Sequence, residues 1–149
     1  MIIAIFGESC TGKSTLAERI AASLPCEIFT GKDYLCLAKN ENIAKMMFQK
    51  KLQAAVTGEN IIYVISEKEH LPLLPEGAFR ILVTADLETI KSRFAQRMRG
   101  NLPAPVAAML EKRHGCFDAL PHDIHVVSGE TNPDLIVEEI WKLHTKTSS

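Results

Sequence analysis

Five short, nearly uninterrupted apolar runs set the strongest limit on what this chain can fold into: Ile2–Phe6, Cys26–Thr30, Ile61–Ile65, Ile81–Thr84 and Ile124–Val127. A strand with one wet face alternates apolar and polar residues; a strand covered on both faces does not. Between the runs lie segments with helical spacing. Leu16, Ile20 and Leu24 recur every fourth residue until Pro25 ends the helix. Ile43, Met47, Leu52 and Val56 predict the buried stripe of a second helix, with Lys45, Lys50 and Lys51 off it and Gly58 closing it. Leu87, Ile90, Phe94 and Met98 predict a third. Pro105 to His114 predicts a fourth, with Val106, Met109 and Leu110 on one side. Asn132-Pro133 offers an N-cap and a first-turn proline to a fifth, which carries Ile136, Ile140 and Leu143 and is expected to pack Trp141 on the sheet. A strand–helix unit repeated five times implies a parallel sheet with right-handed crossovers and helices on both faces. The expectation is one α/β domain over residues 1–149, with loops at Lys68–Gly77 and Arg99–Pro105 and a frayed tail at 145–149.

Length and charge narrow the partners. A chain of 149 residues suits one domain and can bury a real core without disulfide or metal staples. Seventeen basic and 18 acidic side chains leave a net charge of −1, so there is no broad positive field for a nucleic acid or an acidic membrane surface. No apolar run reaches the ~20 residues that span a bilayer. The opening run lacks the basic flank and the length of a secretory leader. Cys10, Cys26, Cys36 and Cys116 form no Cys-x-x-Cys pair, so reduced thiols in a cytoplasmic protein are expected.

Directly after the first run, Gly7-Glu8-Ser9-Cys10-Thr11-Gly12-Lys13-Ser14 meets every fixed position of G-x-x-x-x-G-K-[ST], and the first predicted helix follows it through Thr15. Strand, glycine loop and helix in that order build an anion cradle. Glycines let the backbone curl so that successive N–H groups face one point, and the helix N-terminus adds roughly half a positive charge there. Lys13 is expected to reach the β- and γ-phosphates of ATP, and the Ser14 hydroxyl to complete the shell of Mg²⁺. A plain glycine turn before a core helix needs none of these fixed positions together.

With this loop at the end of the first strand, the chain resembles the small P-loop kinases, among them adenylate, cytidylate, shikimate and gluconate kinases. The resemblance covers nearly the whole chain in layout. It implies a P-loop NTPase fold with strand order 2-3-1-4-5 and ATP over the carboxyl ends of the strands. It also implies a phosphotransferase with a small-molecule acceptor, acting as a monomer or homodimer. Departures from the pattern matter too. The Asn-Lys-x-Asp of GTPases and the Asp-Gly-Phe-Pro-Arg of adenylate kinases are absent, and the third strand ends Ile65-Ser66-Glu67 instead. The acceptor therefore stays open between a small hydroxyl-bearing molecule and a nucleoside monophosphate. A nucleotide-binding regulator without turnover stays open as well.

The same resemblance gives roles to a few other residues. Asp33, after the second strand, stands where several such kinases keep an aspartate that orients the acceptor hydroxyl; it is equally placed to cap the segment starting at Tyr34. Arg93 and Arg97, four apart on the third helix, flank its apolar stripe as lid arginines that clamp phosphate do, with a short lid near 99–113 bounded by Arg99 and Arg113. A solvated basic face is the ordinary alternative. Glu67 and Asp86 end the third and fourth strands; Asp86 suits a cap on the helix starting at Leu87, which leaves Glu67 to hold Mg²⁺ through water. Ser128-Gly129 resembles the loop that packs on adenine, or is an ordinary turn. His114, His122 and His125 lack metal-ligand spacing and read as surface or loop histidines.

Overall fold

Every one of the five apolar runs is a strand in the structure, a computed structural model that describes residues 1–148. The strands are β1 (Ile2–Phe6), β2 (Glu27–Thr30), β3 (Ile61–Ile65), β4 (Phe79–Thr84) and β5 (Ile124–Val127). They form one parallel sheet in the order β2-β3-β1-β4-β5, as expected. Five α-helices connect or follow them: α1 (Lys13–Ser23), α2 (Glu41–Ala55), α3 (Leu87–Arg97), α4 (Ala104–Arg113) and α5 (Pro133–Ser148). The 145–148 stretch continues α5; Ser149 lies outside the described residues.

Alternate residues of the central strands feed two separate cores, which is why the runs show no polar alternation. Ile2, Ala4, Phe6, Ile61, Tyr63 and Ile65 pack with α2 on one face. Ile3, Ile5, Ile62, Val64, Ile81 and Val83 pack with α1 and α5 on the other. Because all strands are parallel, all their carboxyl ends open on one edge. β1 sits in the middle with β3 on one side and β4 on the other, so the loop after β1 leaves the sheet where the chain order reverses. That crevice is where open α/β sheets bind ligands.

Three packing expectations are corrected. The buried stripe of α2 is Ala44, Phe48, Leu52 and Ala55, whereas Ile43 and Met47 are 47% and 44% exposed. Phe48 decides the rotation. Its ring meets Phe29, Tyr34 and Tyr63 at centroid distances of 5.0, 5.2 and 4.9 Å, and no Ile or Met offers that aromatic area. Trp141 is 40% exposed and stacks edge-on against His144. It lies one residue past Ile140, about 100° around the helix from the buried Ile136–Ile140 line. The Lys68–Gly77 stretch is not all loop: Lys68–Leu73 winds into a 3₁₀ turn that buries His70 and Leu73. The connection between α3 and α4 is short, residues 98–103.

Candidate active site

Gly7 must be glycine for a reason of space: a Cβ there would stand 2.1 Å from the Val83 carbonyl oxygen. Its N–H donates to Ile65 O at 3.2 Å, so the loop starts wedged between β3 and β4. The chain then passes through positive φ at Cys10 (64°) and Gly12 (96°). Gly12 N-caps α1 without any side-chain bond, and the first turn of α1 contains no acidic residue. The first N–H groups of the helix therefore lack protein acceptors, the condition for receiving an anion.

Lys13 is 5% exposed, and its ammonium folds back to donate to the Glu8 carbonyl at 2.5 Å, with Thr11 Oγ1 at 3.5 Å. Thr11 Oγ1 donates to the same carbonyl at 2.9 Å. Burial pushes the Lys13 pKa down to about 8. A desolvated cation beside an uncapped helix end is short of negative charge, and a bound polyphosphate supplies that charge. The loop's residues thus suit a nucleotide phosphate. Ser14 and Thr15 are exposed on the first turn. Among the described residues no three acidic, histidine or cysteine side chains form a metal cage. Mg²⁺ in nucleotide sites takes one or two protein ligands, the phosphates and water, so a hydroxyl here suits it.

Two cavities open on either side of this loop. The larger, about 620 Å³, lies on the β4–β5 side, and its lining includes Thr11, Gly12, Thr15, Arg93, Arg97 and Ser128. The smaller, about 280 Å³, lies on the β3 side. Its polar wall is Glu8, Ser9, Ser66, Glu67, Lys68 and Arg113, and Phe94, Met109, Leu110 and Phe117 form its apolar wall.

The expected residues divide between these places. Arg97 lines the larger cavity. Arg93 lines it too, but its guanidinium is held: one nitrogen donates to Cys10 O and the other to Ser128 Oγ, both at 3.0 Å. The arginine thereby ties α3, the P-loop and the loop after β5 together, and its bond lies on the strained Cys10 peptide. Cys10 itself is buried. Glu67 is in the smaller cavity, 3.6 Å from Arg113. Asp86 accepts from Thr89 N at 2.7 Å as the N-cap of α3, and that backbone bond lowers its pKa. Asp33 lines neither cavity. Its carboxylate turns back to accept from Thr30 N at 2.9 Å, so it closes the turn after β2 rather than capping the segment ahead.

Sequence reading missed one contact altogether. His114 is no bare loop histidine: its Nδ1 lies 3.1 Å from a Glu8 carboxylate oxygen, and Gly115 N donates to the other oxygen at 3.1 Å. More than a hundred residues separate the partners, and no local pattern announces such a pair. The Phe94 and Phe117 wall had no local signal either, beyond the apolar stripe of α3.

No protein-family model matches the chain. A shikimate kinase of Pelotomaculum thermopropionicum is 28% identical to it over 160 residues, covering 93% of this chain and 92% of that protein. Among solved structures, shikimate kinase from Acinetobacter baumannii in complex with shikimate superposes with a TM-score of 0.62 at 11% identity, covering 97% of this chain and 93% of the other. A gluconokinase from Sinorhizobium meliloti superposes with a TM-score of 0.57 at 17% identity, covering 92% and 87%. The fold is that of the small P-loop kinases, with the sheet order that the resemblance implied.

Proposed function

We propose that this chain is an ATP-dependent phosphotransferase that moves the γ-phosphoryl group to a hydroxyl of a small molecule. The observation that carries the reading is the pair of cavities flanking one P-loop, since phosphoryl transfer needs donor and acceptor in line across the phosphate cradle. The nucleotide occupies the β4–β5 side, with its phosphates on the backbone of residues 7–15 and its base toward Ser128-Gly129. Bound there, ATP with Mg²⁺ supplies the phosphoryl group and the charge neutralisation. Ser14 offers Mg²⁺ a hydroxyl, and Glu67 is the carboxylate available to the metal's water shell or to the acceptor hydroxyl.

The chain's own residues do the positioning. Lys13 leaves the Glu8 carbonyl for phosphate oxygens and spreads the charge that develops on them. Arg97 adds a second cation from α3. Arg93 keeps Cys10 and Ser128 in place. Catalysis by such parts is orientation and electrostatics, with little covalent work for the protein.

The smaller cavity favours a hydroxyl acceptor over a nucleoside monophosphate. Two carboxylates, Glu8 and Glu67, face it near the P-loop, where an acceptor phosphate would meet them as like charge. A neutral hydroxyl meets no such repulsion, and Lys68 remains for an anionic group elsewhere on the acceptor, with Arg113 beside it in its pair with Glu67. The shikimate kinase relative supports the same choice.

A coupled ADP-release assay across shikimate, gluconate and nucleoside monophosphates tests the reading. Turnover with a hydroxyl acceptor is expected. Turnover with a monophosphate alone selects the cytidylate-like reading. ATP binding with no transfer to any acceptor selects a nucleotide-binding regulator.

A further inference from the structure

Glu8 occupies a variable position of the phosphate loop, yet all three of its oxygens are engaged. Its backbone carbonyl takes the Lys13 ammonium and the Thr11 hydroxyl. Its carboxylate, 9% exposed, takes His114 Nδ1 and Gly115 N. One side of the residue therefore faces the phosphate cradle and the other holds the end of α4. An ionised carboxylate can only accept, so against one this contact is a hydrogen bond in the tautomer that presents Nδ1–H to Glu8.

The anchored peptide is also the rim of the smaller cavity. Arg113 precedes His114, and Cys116 and Phe117 follow Gly115; all three line that cavity. Gly115 has φ of 80°, a left-handed turn that returns its N–H toward Glu8. Phe117 is buried against Phe6 at a centroid distance of 6.0 Å, so beyond Gly115 the segment is fixed by packing. On the α4 side Leu110 is buried against α3, while Arg113, past the last buried residue of the helix, is half exposed and pairs with Glu67 at 3.6 Å.

We infer that Glu8 is a positioning residue that links the phosphate loop to the acceptor rim, setting where Arg113 stands according to what Lys13 holds. When Lys13 turns from the Glu8 carbonyl to a bound phosphate, the Glu8 backbone loses its buried cation. The carboxylate on the same residue then resets against His114 and Gly115. Donor binding on one side of the loop thus tightens the wall on the other. The rim-holding role needs only the contacts described; the linkage to the donor rests on the nucleotide reading above.

Hydrogen–deuterium exchange of peptides spanning 110–118 separates the two, in wild type, Glu8→Ala, His114→Ala and His114→Asn, with and without Mg-ADP. Without nucleotide, His114→Ala is expected to exchange about tenfold faster over this segment, the loss of one charge-assisted hydrogen bond, and Glu8→Ala, which loses two, faster still. Asn is expected to restore slow exchange, because its amide nitrogen sits where Nδ1 was. Mg-ADP is expected to protect 110–118 in wild type and in His114→Asn. In His114→Ala, whose phosphate loop is intact, it should protect only residues 7–15. Unchanged exchange over 110–118 in both alanine variants overturns the positioning role, and so does an Asn variant that behaves like Ala. Equal Mg-ADP protection of 110–118 in wild type and His114→Ala overturns the linkage. If Mg-ADP protects residues 7–15 in no variant, the nucleotide reading fails and takes the linkage with it, while the nucleotide-free comparison still decides the rim-holding role.

Discussion

The two cavities beside the P-loop draw on it to different extents. The larger one takes in a contiguous stretch, residues 10–12 and the first turn of α1, whose N-cap makes no side-chain bond, and adds side chains from β4, α3, β5 and the loop after it. The smaller one is made by side chains from four separated stretches, residues 8–9, 66–68, 94 and 109–117. Backbone recognition of phosphate is indifferent to most side chains, so a short motif can specify it. Recognition of a particular acceptor needs individual charges and rings, and those converge only when the sheet has formed. The phosphate-loop motif is therefore local in sequence, and the lining of the smaller cavity is not.

Lys13 tests the first half of that contrast with the largest effect. Lys13→Met is expected to lower turnover by about 10²–10³-fold, the range for losing one preorganised electrostatic contact to the transferring group. It should also shrink the thermal stabilisation given by Mg-ATP; undiminished stabilisation would count against the phosphate assignment. Without ligand, pH gives an independent check. Burial depresses the Lys13 pKa from 10.5 to about 8, so the folded state releases its proton before the unfolded state does. Between pH 8 and 10.5 the unfolded chain binds more protons, and stability contributed by this group rises with pH. The stability of wild type relative to Lys13→Met should climb across that window by roughly 3 kcal/mol. Taking the difference removes the opposing trend from Cys26, Cys116 and Tyr63, whose burial raises their pKa values. A flat difference in denaturant melts would mean that Lys13 is not desolvated.

How much was legible in the sequence follows from the same division. The strands, their order and the phosphate loop rest on short-range features: unbroken apolar runs, and glycines whose φ or clearance no other residue tolerates. The face of α2 was misread because hydrophobicity ranks Ile43 and Met47 above Ala44, while the aromatic cluster around Phe48 is a tertiary fact. Arg93 and Arg97 look alike on a helical wheel. Only the fold reveals that both line the larger cavity and that Arg93 is tied to Cys10 and Ser128. The Glu8–His114 contact had no local signal of any kind.

Two arginines sharpen the comparison at intermediate effect. Arg97→Met should weaken Mg-ADP binding by about 10–100-fold, since a charged hydrogen bond contributes roughly 1.5–3 kcal/mol. Arg113→Met should leave that affinity within about twofold, because distant sites act nearly additively. It should instead raise the KM of the acceptor found in the coupled assay. Losing the exposed Glu67–Arg113 pair should cost under ~1 kcal/mol of stability. Titration calorimetry with Mg-ADP checks both; equal losses of nucleotide affinity would merge the two cavities into one functional unit.

Asp33 carries the smallest expected effect and the sharpest choice between roles. Its carboxylate holds the Thr30 N–H at 2.9 Å in the turn after β2, and neither cavity includes it. Asn keeps an oxygen at the same place, so Asp33→Asn should change stability by less than about 0.5 kcal/mol, as an Asn replaces an Asp at a helix cap. Asp33→Ala removes the acceptor and should cost about 1 kcal/mol, the usual worth of one such bond. Turnover of the Asn variant is expected to stay within a few-fold of wild type, because the turn and both cavities persist. A general base behaves otherwise: losing its carboxylate lowers kcat by ~10²–10⁴-fold while nucleotide affinity holds. Such a fall in Asp33→Asn would mean that the turn after β2 moves toward the P-loop during the reaction. The proton acceptor would then be Asp33, and Glu67 would be left to the metal's water shell.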